Sequence, residues 1–403
     1  MRDFKRIGII LCYACFPVCA QEWTEQAVLQ RFLEQNPISR ETRARLAVAE
    51  GETKSRTLWA NPTLGVSREG AGRTEFYQAS QLLPISGRFP LIRQAGAIQA
   101  EVVSAEGGFS LWLARCALRL AFYRTLASQE RQRFWAAADV ELAGVIAILK
   151  EREREGEGSK LDRLRAERER TEIAASSSLV AAELAAARAE MLGFLPLQDV
   201  PVQLSGKLTS AEPKGGVEVW LQRALANRLD IQAERRRIEQ YRKEQQAADR
   251  LRIPEPLVNA GLKRADLGLP RIDAGPVVGL SLALPIFNKG RTEVARWSAE
   301  QERTSARLEQ LTRRVQASVE GTWQAFAIHR ETYERYKNAH VPSTEELLEI
   351  ASVAYKEGEI GILQLLDAYR LRRDSRLREI DLALTAKQAQ IALEAQIGEE
   401  FPL

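Results

Sequence analysis

Few residues in this chain combine the type and spacing that chemistry needs. His329 and His340 are the only histidines, eleven residues apart, about three turns along one helix. A metal site would need further ligands converging on them, and the Cys-rich or His-rich spacing of such sites is absent. Cys116 lies in an apolar helical run with only Arg115 and Arg119 as nearby bases, which suits a buried small hydrophobe better than a nucleophile. Gly156-Glu157-Gly158-Ser159-Lys160 looks like a phosphate loop, but it fails the Gly-x4-Gly-Lys-Ser/Thr spacing and follows a helix rather than a strand. Neither Gly-x-Ser-x-Gly nor His-Glu-x-x-His occurs. The charged run Lys150 to Arg170 alternates acids with bases and holds no aromatic ring, so it reads as a solvated hairpin tip and not as a nucleic-acid patch. No catalytic set and no cofactor or metal site emerges, and an enzyme is not expected.

The elements around these residues are therefore the informative part. Of 403 residues 28% are charged, with Lys+Arg (58) nearly balancing Asp+Glu (54), and the net +4 gives no reason to expect a nucleic-acid partner. Long stretches of Ala, Glu, Leu, Arg and Gln are the usage of long helices packed along narrow seams. The first twenty residues differ. Arg2, Lys5 and Arg6 precede an apolar run, Ile7 to Val18, and Val18-Cys19-Ala20 offers small residues for cleavage. The reading is a secretory signal over 1–20, with lipid attachment through Cys19 as the other possibility, for which Phe16-Pro17-Val18 is a poor context. Cleavage after Ala20 removes Cys12, Cys15 and Cys19 and leaves Cys116 alone, so packing and not an intramolecular disulfide must stabilise the exported chain.

Beyond residue 20 the chain reads as two halves with the same order of parts. Leu29-Gln30-Arg31 recurs as Leu221-Gln222-Arg223, and Leu83-Pro84-Ile85 as Leu284-Pro285-Ile286. Glu155-Gly156-Glu157 recurs as Glu357-Gly358-Glu359, and in that register, offset 202, Leu161, Leu164 and Ala166 match Leu363, Leu366 and Ala368. The first repeat covers 21–200, with a helix over 24–58, strands within 63–83 and a helical hairpin over 87–193. A linker spans 201–216. The second repeat covers 217–398, with a helix over 217–252, strands within 257–284, a hairpin over 290–397, and a tail at 399–403. Proline is expected to end the first helix at Asn61-Pro62 and to break or kink the outgoing helix at Val341-Pro342, and Gly107-Gly108 to bend its counterpart.

The strands carry the decisive pattern. Val278, Leu280, Leu282 and Leu284 alternate with Val277, Gly279, Ser281 and Ala283, as in a strand with lipid on one side and a wet lumen on the other. Four strands cannot close a barrel, which takes about eight, and an open edge in hydrocarbon leaves backbone groups unsatisfied. A membrane location thus demands oligomerisation, and three copies give twelve strands. Each outgoing helix of roughly 65–70 residues is on the order of 100 Å long and needs coiled-coil seams to survive.

Asn61-Pro62-x-Leu64, the Leu-Pro-Ile strand ends, and Tyr355-x-x-Gly358 followed by Leu366-Asp367-Ala368 give the chain, from Glu22 to Gly398, its likeness to a known family. It resembles the outer-membrane efflux protein family (TolC-like), with a flavour nearest the members serving heavy-metal pumps. The resemblance implies a mainly α fold with a small β portion, a homotrimer with a twelve-stranded outer-membrane barrel continued by a periplasmic α-helical tunnel, and docking to a periplasmic adaptor and an inner-membrane efflux transporter. It implies no cofactor. It places the turn glycines Gly156, Gly158, Gly358 and Gly361 where the adaptor binds. At the periplasmic entrance the family's two aspartates correspond to Gln364 and Asp367, so one acidic ring is missing here. Arg165 is the first-half counterpart of Asp367, and an ion pair between the hairpins is conceivable. The competing reading is a soluble periplasmic coiled-coil adaptor whose strands form a small solvated sheet.

Overall fold

The computed structural model describes residues 22–70, 74–196, 203–211, 213, 215–265 and 273–401. The export signal expected at 1–20 lies outside them, as do parts of the expected linker and tail. In chain order the elements are β1 (Glu22–Trp23), α1 (Glu25–Gln35), α2 (Pro37–Arg56), β2 (Thr63–Glu69), β3 (Thr74–Leu82), α3 (Arg88–Glu155), α4 (Lys160–Leu192) and β4 (Gln203–Leu204). There follow α5 (Val217–Asn227), α6 (Leu229–Asp249), a 3-10 turn at Arg250–Arg252, β5 (Pro256–Ala265), β6 (Asp273–Leu282), α7 (Arg291–Glu357) and α8 (Ile362–Ile397). The order of two short helices, two strands, a long helix and a return helix thus occurs twice. The protein is mostly helical with a small sheet.

Two of the expected helices are each two. The helix read over 24–58 divides at Asn36, whose side chain accepts from Ile38 N at 2.7 Å while Pro37 opens α2. An N-cap followed by proline is a strong start signal. The helix read over 217–252 divides at Arg228, where no proline or glycine stands. Its buried guanidinium grips Asp230 at 2.7 Å, donates to the Gln396 carbonyl at 2.5 Å and lies 5.1 Å over the Phe109 ring. In contrast, neither Pro342 nor Gly107-Gly108 interrupts its helix. Both α3 and α7 run through unbroken. A helix-interior proline costs about 3 kcal/mol. Here Ser343 and Thr344 hydroxyls donate to the His340 carbonyl at 2.9 and 3.2 Å, bracing that turn, and the apolar seam resumes at the buried Leu348.

The chain forms two compact units. Of the described residues, one unit takes in those that fall within Met1–Gln35, Leu118–Thr209 and Tyr336–Leu384, and the other those within Asn36–Ala117, Ser210–Arg335 and Thr385–Leu403. The first has a coiled-coil core. Ala166, Ile173 and Val180 follow one another at heptad spacing along α4 and pack with Leu142, Ile146 and Leu149 of α3 and Ile362, Leu365 and Leu366 of α8. The parallel pair β1–β4 sits in this unit, and the Gln129 amide both donates to and accepts from Leu204, at 2.9 and 3.1 Å, acting as a further strand residue.

The second unit centres on Trp220 and Ile231, Val319 and Phe326 of α7, Leu393 and Ile397 of α8, and Phe401, whose ring meets Trp220 edge-on at 4.8 Å. It also holds the sheet, fully antiparallel in the order β2-β3-β5-β6. Here α2 runs closely along α3. A Cβ at Gly96 would lie 2.1 Å from the Thr53 hydroxyl, and one at Gly107 would lie 2.3 Å from the Thr42 methyl. Gly107 is thus a close-packing residue. Gly96→Ala and Gly107→Ala should each lower the thermal midpoint of the purified protein, because overpacking of about 1–3 kcal/mol exceeds the propensity gain of about 1 kcal/mol. Gly144→Ala, where the added methyl meets nothing within 4 Å, should leave the midpoint level or raise it. Circular dichroism melts check all three.

Candidate functional site

The hairpin ends are built identically in both halves. At the end of α3, Gly156 takes φ 80°, with Gly156 N donating to Glu153 O at 3.2 Å and Glu157 N to Arg152 O at 2.9 Å. At the end of α7, Gly358 takes φ 81°, with Gly358 N donating to Tyr355 O at 3.2 Å and Glu359 N to Ala354 O at 2.9 Å. These are Schellman closures, and the left-handed position is where glycine carries no Cβ penalty. Gly158 is required for a different reason: a Cβ there would lie 2.9 Å from Glu153 N. Ser159 then caps α4 by accepting from Leu161 N at 3.1 Å. Its counterpart Gly361 has no positive φ and would bring an added Cβ only near the Gln364 side chain, at 3.2 Å. Of the four glycines, Gly361 alone is free of backbone demand.

Gln364 and Asp367 lie one turn apart on the face of α8 left exposed by the buried Ile362, Leu365, Leu366 and Ala368. Arg165 is half-buried on α4 and reaches Asp162 at 3.5 Å, so the ion pair conceived with Asp367 is not formed within the chain. The bond between hairpins is made one turn further along. Glu169 of α4, 9% exposed, receives Arg370 at 2.6 Å and Arg373 at 2.8 Å from α8. The Arg370 bond, aided by Arg373, overcomes burial and holds the Glu169 carboxyl below its ordinary value. Arg372 of α8 bonds Glu141 of α3 at 2.8 Å and Glu345 of α7 at 3.0 Å. Arg170 grips Asp139 at 2.8 and 3.0 Å, which lowers that carboxyl too. Sequence reading missed this clamp. Its only signal was the basic run of Arg370, Arg372, Arg373 and Arg376 on α8.

The sheet is the other distinctive surface. Register aligns Leu64, Ala79, Ala260 and Val278 in one row and Val66, Tyr77, Leu262 and Pro276 in the next. Directly opposed residues share a face, so with Val258, Leu280 and Leu282 these rows make one apolar face. Leu64 is 83% exposed, Val278 79% and Leu280 70%. The opposite face is mixed: Gln78, Ser80, Asn259, Lys263 and Ser281 and the glycines Gly261 and Gly279 share it with Phe76, Leu82, Leu257 and Val277. The apolar face stops at a charged row, Arg68, Glu75 and Arg264. The nine and ten residues of β3, β5 and β6 match the roughly 9–11 of a tilted membrane strand, whereas β2 has seven. No described strand pairs with the outer edges of β2 and β6. No helix among the described residues is long and apolar enough to cross a membrane.

Comparison with known proteins places this architecture. Over 93–94% of its length the chain superposes on solved outer-membrane channels. These include the Vibrio cholerae outer membrane protein VceC (15% identity, 97% of that chain, TM-score 0.71), the open state of the Neisseria gonorrhoeae channel MtrE (16%, 89%, 0.72) and the Campylobacter jejuni channel CmeC (13%, 86%, 0.73). The fold is that of the TolC-like channels. In sequence, residues 220–399 match the model of the outer membrane efflux protein family, the family whose motifs the chain resembles. No curated protein sequence matches it significantly.

The clamp has a measurable consequence. Glu169→Gln should destabilise the protein by about 1.5–3 kcal/mol, the range for hydrogen bonds to charged groups, read as a lower thermal midpoint at pH 7. Because the native carboxyl titrates below the unfolded value of about 4.3, its contribution is complete above that pH and is lost as pH falls through the native pKa. The wild-type and Glu169→Gln midpoints should therefore converge on acidification; a gap unchanged down to pH 3 would contradict the clamp.

Proposed function

We propose that the protein is the outer-membrane exit duct of a tripartite efflux or secretion system. Three copies close a twelve-stranded barrel, their hairpins continue it as a periplasmic tunnel, and the tunnel end docks to an adaptor and an inner-membrane transporter. The duct conducts passively: the transporter supplies energy and most of the selectivity, and no bond-making chemistry or cofactor is involved. The observation carrying this reading is the sheet, with one continuous apolar exposed face, an opposite face that carries the sheet's small and polar residues among a few apolar ones, and two edges unpaired among the described strands. In water such a face is an association surface; in lipid the open edges cost several kcal/mol per unsatisfied group. Closure by further copies removes both difficulties. A soluble adaptor leaves the apolar face unexplained and is not favoured.

At the tunnel end, exposed Asp367 repeated by threefold symmetry makes a ring of carboxylates that attracts cations and repels anions. The uncharged Gln364 stands where a second ring would be, which weakens any divalent-cation block of the entrance. The turns at Gly156, Gly158, Gly358 and Gly361 form the adaptor contact.

Three measurements test the reading. Val278→Arg, in the middle of the apolar face, should cost about 2–4 kcal/mol of membrane stability and abolish the heat-dissociable trimer in mild detergent, while Ser281→Arg on the other face should preserve it. Equal loss from both would contradict a lipid-facing surface. Asp367→Ala should raise single-channel conductance in a planar bilayer, and unchanged conductance would remove Asp367 from the gate. Gly361→Trp, which imposes no backbone strain, should prevent co-purification of adaptor and transporter while trimers persist. Trimer loss would make the site structural.

A further inference from the structure

Just below the sheet, a cavity of about 390 Å³ is bounded by Arg56 of α2, Arg88 of α3, Glu244 of α6, and Glu293, Arg296 and Trp297 of α7. Arg56 and Arg88 stand seven and six residues from the nearest strand ends, Thr63 and Leu82. In the connections between the strands and the helices that line the cavity, Ile85, Leu284 and Ile286 are each 64% exposed and Phe287 is fully exposed. Three guanidiniums face two carboxylates, and two of the three are matched. Arg56 is forked onto Glu244 with both bonds at 2.6 Å. Arg296 reaches Glu293 at 3.7 Å and lies 4.8 Å over the Trp297 ring. Arg88 makes no ion pair among the described residues, and its buried Nε has no hydrogen-bond acceptor. A buried donor without an acceptor costs about 1–3 kcal/mol. Here it borders an open, net-positive cavity.

We propose that this cavity binds the phosphate of a membrane glycerophospholipid, with Arg88 forming the main contact and Arg296 a second. The inference rests on the reading of the sheet as membrane-embedded. That reading puts the strand bases where the apolar interior gives way to headgroups, the depth at which tryptophan rings sit. Trp297, whose ring lies 5.5 Å from that of Tyr241, then covers the glycerol region while the acyl chains run up along Ile286 and Phe287. A guanidinium suits the ligand because its planar fork matches two phosphate oxygens.

The test is native mass spectrometry of the full exported protein in detergent. It is titrated separately with phosphatidylglycerol, with diacylglycerol of the same acyl chains, and with inorganic phosphate. Wild type should retain phosphatidylglycerol well above the other two. Arg88→Gln should weaken retention about tenfold, the loss of one charge-assisted hydrogen bond. Arg296→Gln, at an exposed position, should weaken it less and serves if Arg88→Gln does not fold. Equal retention by wild type and variants would overturn the proposal, as would diacylglycerol retained as well as phosphatidylglycerol, or inorganic phosphate bound as tightly as the lipid. Equal retention in a protein that still inserts and conducts removes the lipid site alone. Recovery of the protein as a water-soluble monomer removes the duct reading with it.

Discussion

A four-stranded antiparallel sheet with a bare apolar face and two open edges cannot be satisfied by one copy of the chain in either solvent available to it. Water penalises Leu64, Val278 and Leu280, which stand almost wholly exposed. Lipid accepts those side chains but not the outward N–H and C=O groups of β2 and β6, which have no ladder partner among the described strands. Under the proposed assembly, the edge of β6 would pair with that of β2 in a neighbouring copy, and repetition of that contact would close a ring where the rotation allows it.

The helices answer a different problem. Helices on the order of 100 Å long are not stable by propensity alone, and their stability here comes from seams of small and branched side chains. Heptad-spaced Ala166, Ile173 and Val180 form one such seam. Gly96 and Gly107 let α2 approach α3 more closely than any Cβ would permit. Charged clamps then fix which helices neighbour one another near the turns. Glu169 holds two arginines of α8, and Arg372 ties α8 to both α3 and α7. Such bonds weaken in acid, whereas the apolar seams do not. The clamp near the hairpin ends is thus a part of the molecule that acid loosens.

What could be read from the residues, and what could not, follows the range of the interactions. The strands were legible because alternation of two is a local signal, and the turns because Gly156 and Gly358 recur in register with the same neighbours. Asn36-Pro37 was also a local signal, an N-cap and a first-turn proline, and was passed over within a longer apolar pattern. The division at Arg228 carried no such mark, since it depends on Phe109 and Gln396, both far away in sequence. Pro342 is the opposite case. A strong local breaker does not end the helix, because the seam continues on either side. The clamp on Glu169 was invisible because helical periodicity places charges on a face but does not say which face of which helix they meet.

The two-faced sheet is tested most directly by spin labels placed one at a time at 278, 279, 280 and 281 in a Cys116→Ala background, in protein reconstituted into lipid bilayers. Labels at 278 and 280 should collide readily with oxygen dissolved in the lipid and be shielded from a water-soluble nickel chelate, with the opposite behaviour at 279 and 281. Labels at all four positions equally open to the chelate would contradict a lipid-embedded stave and the assembly built on it.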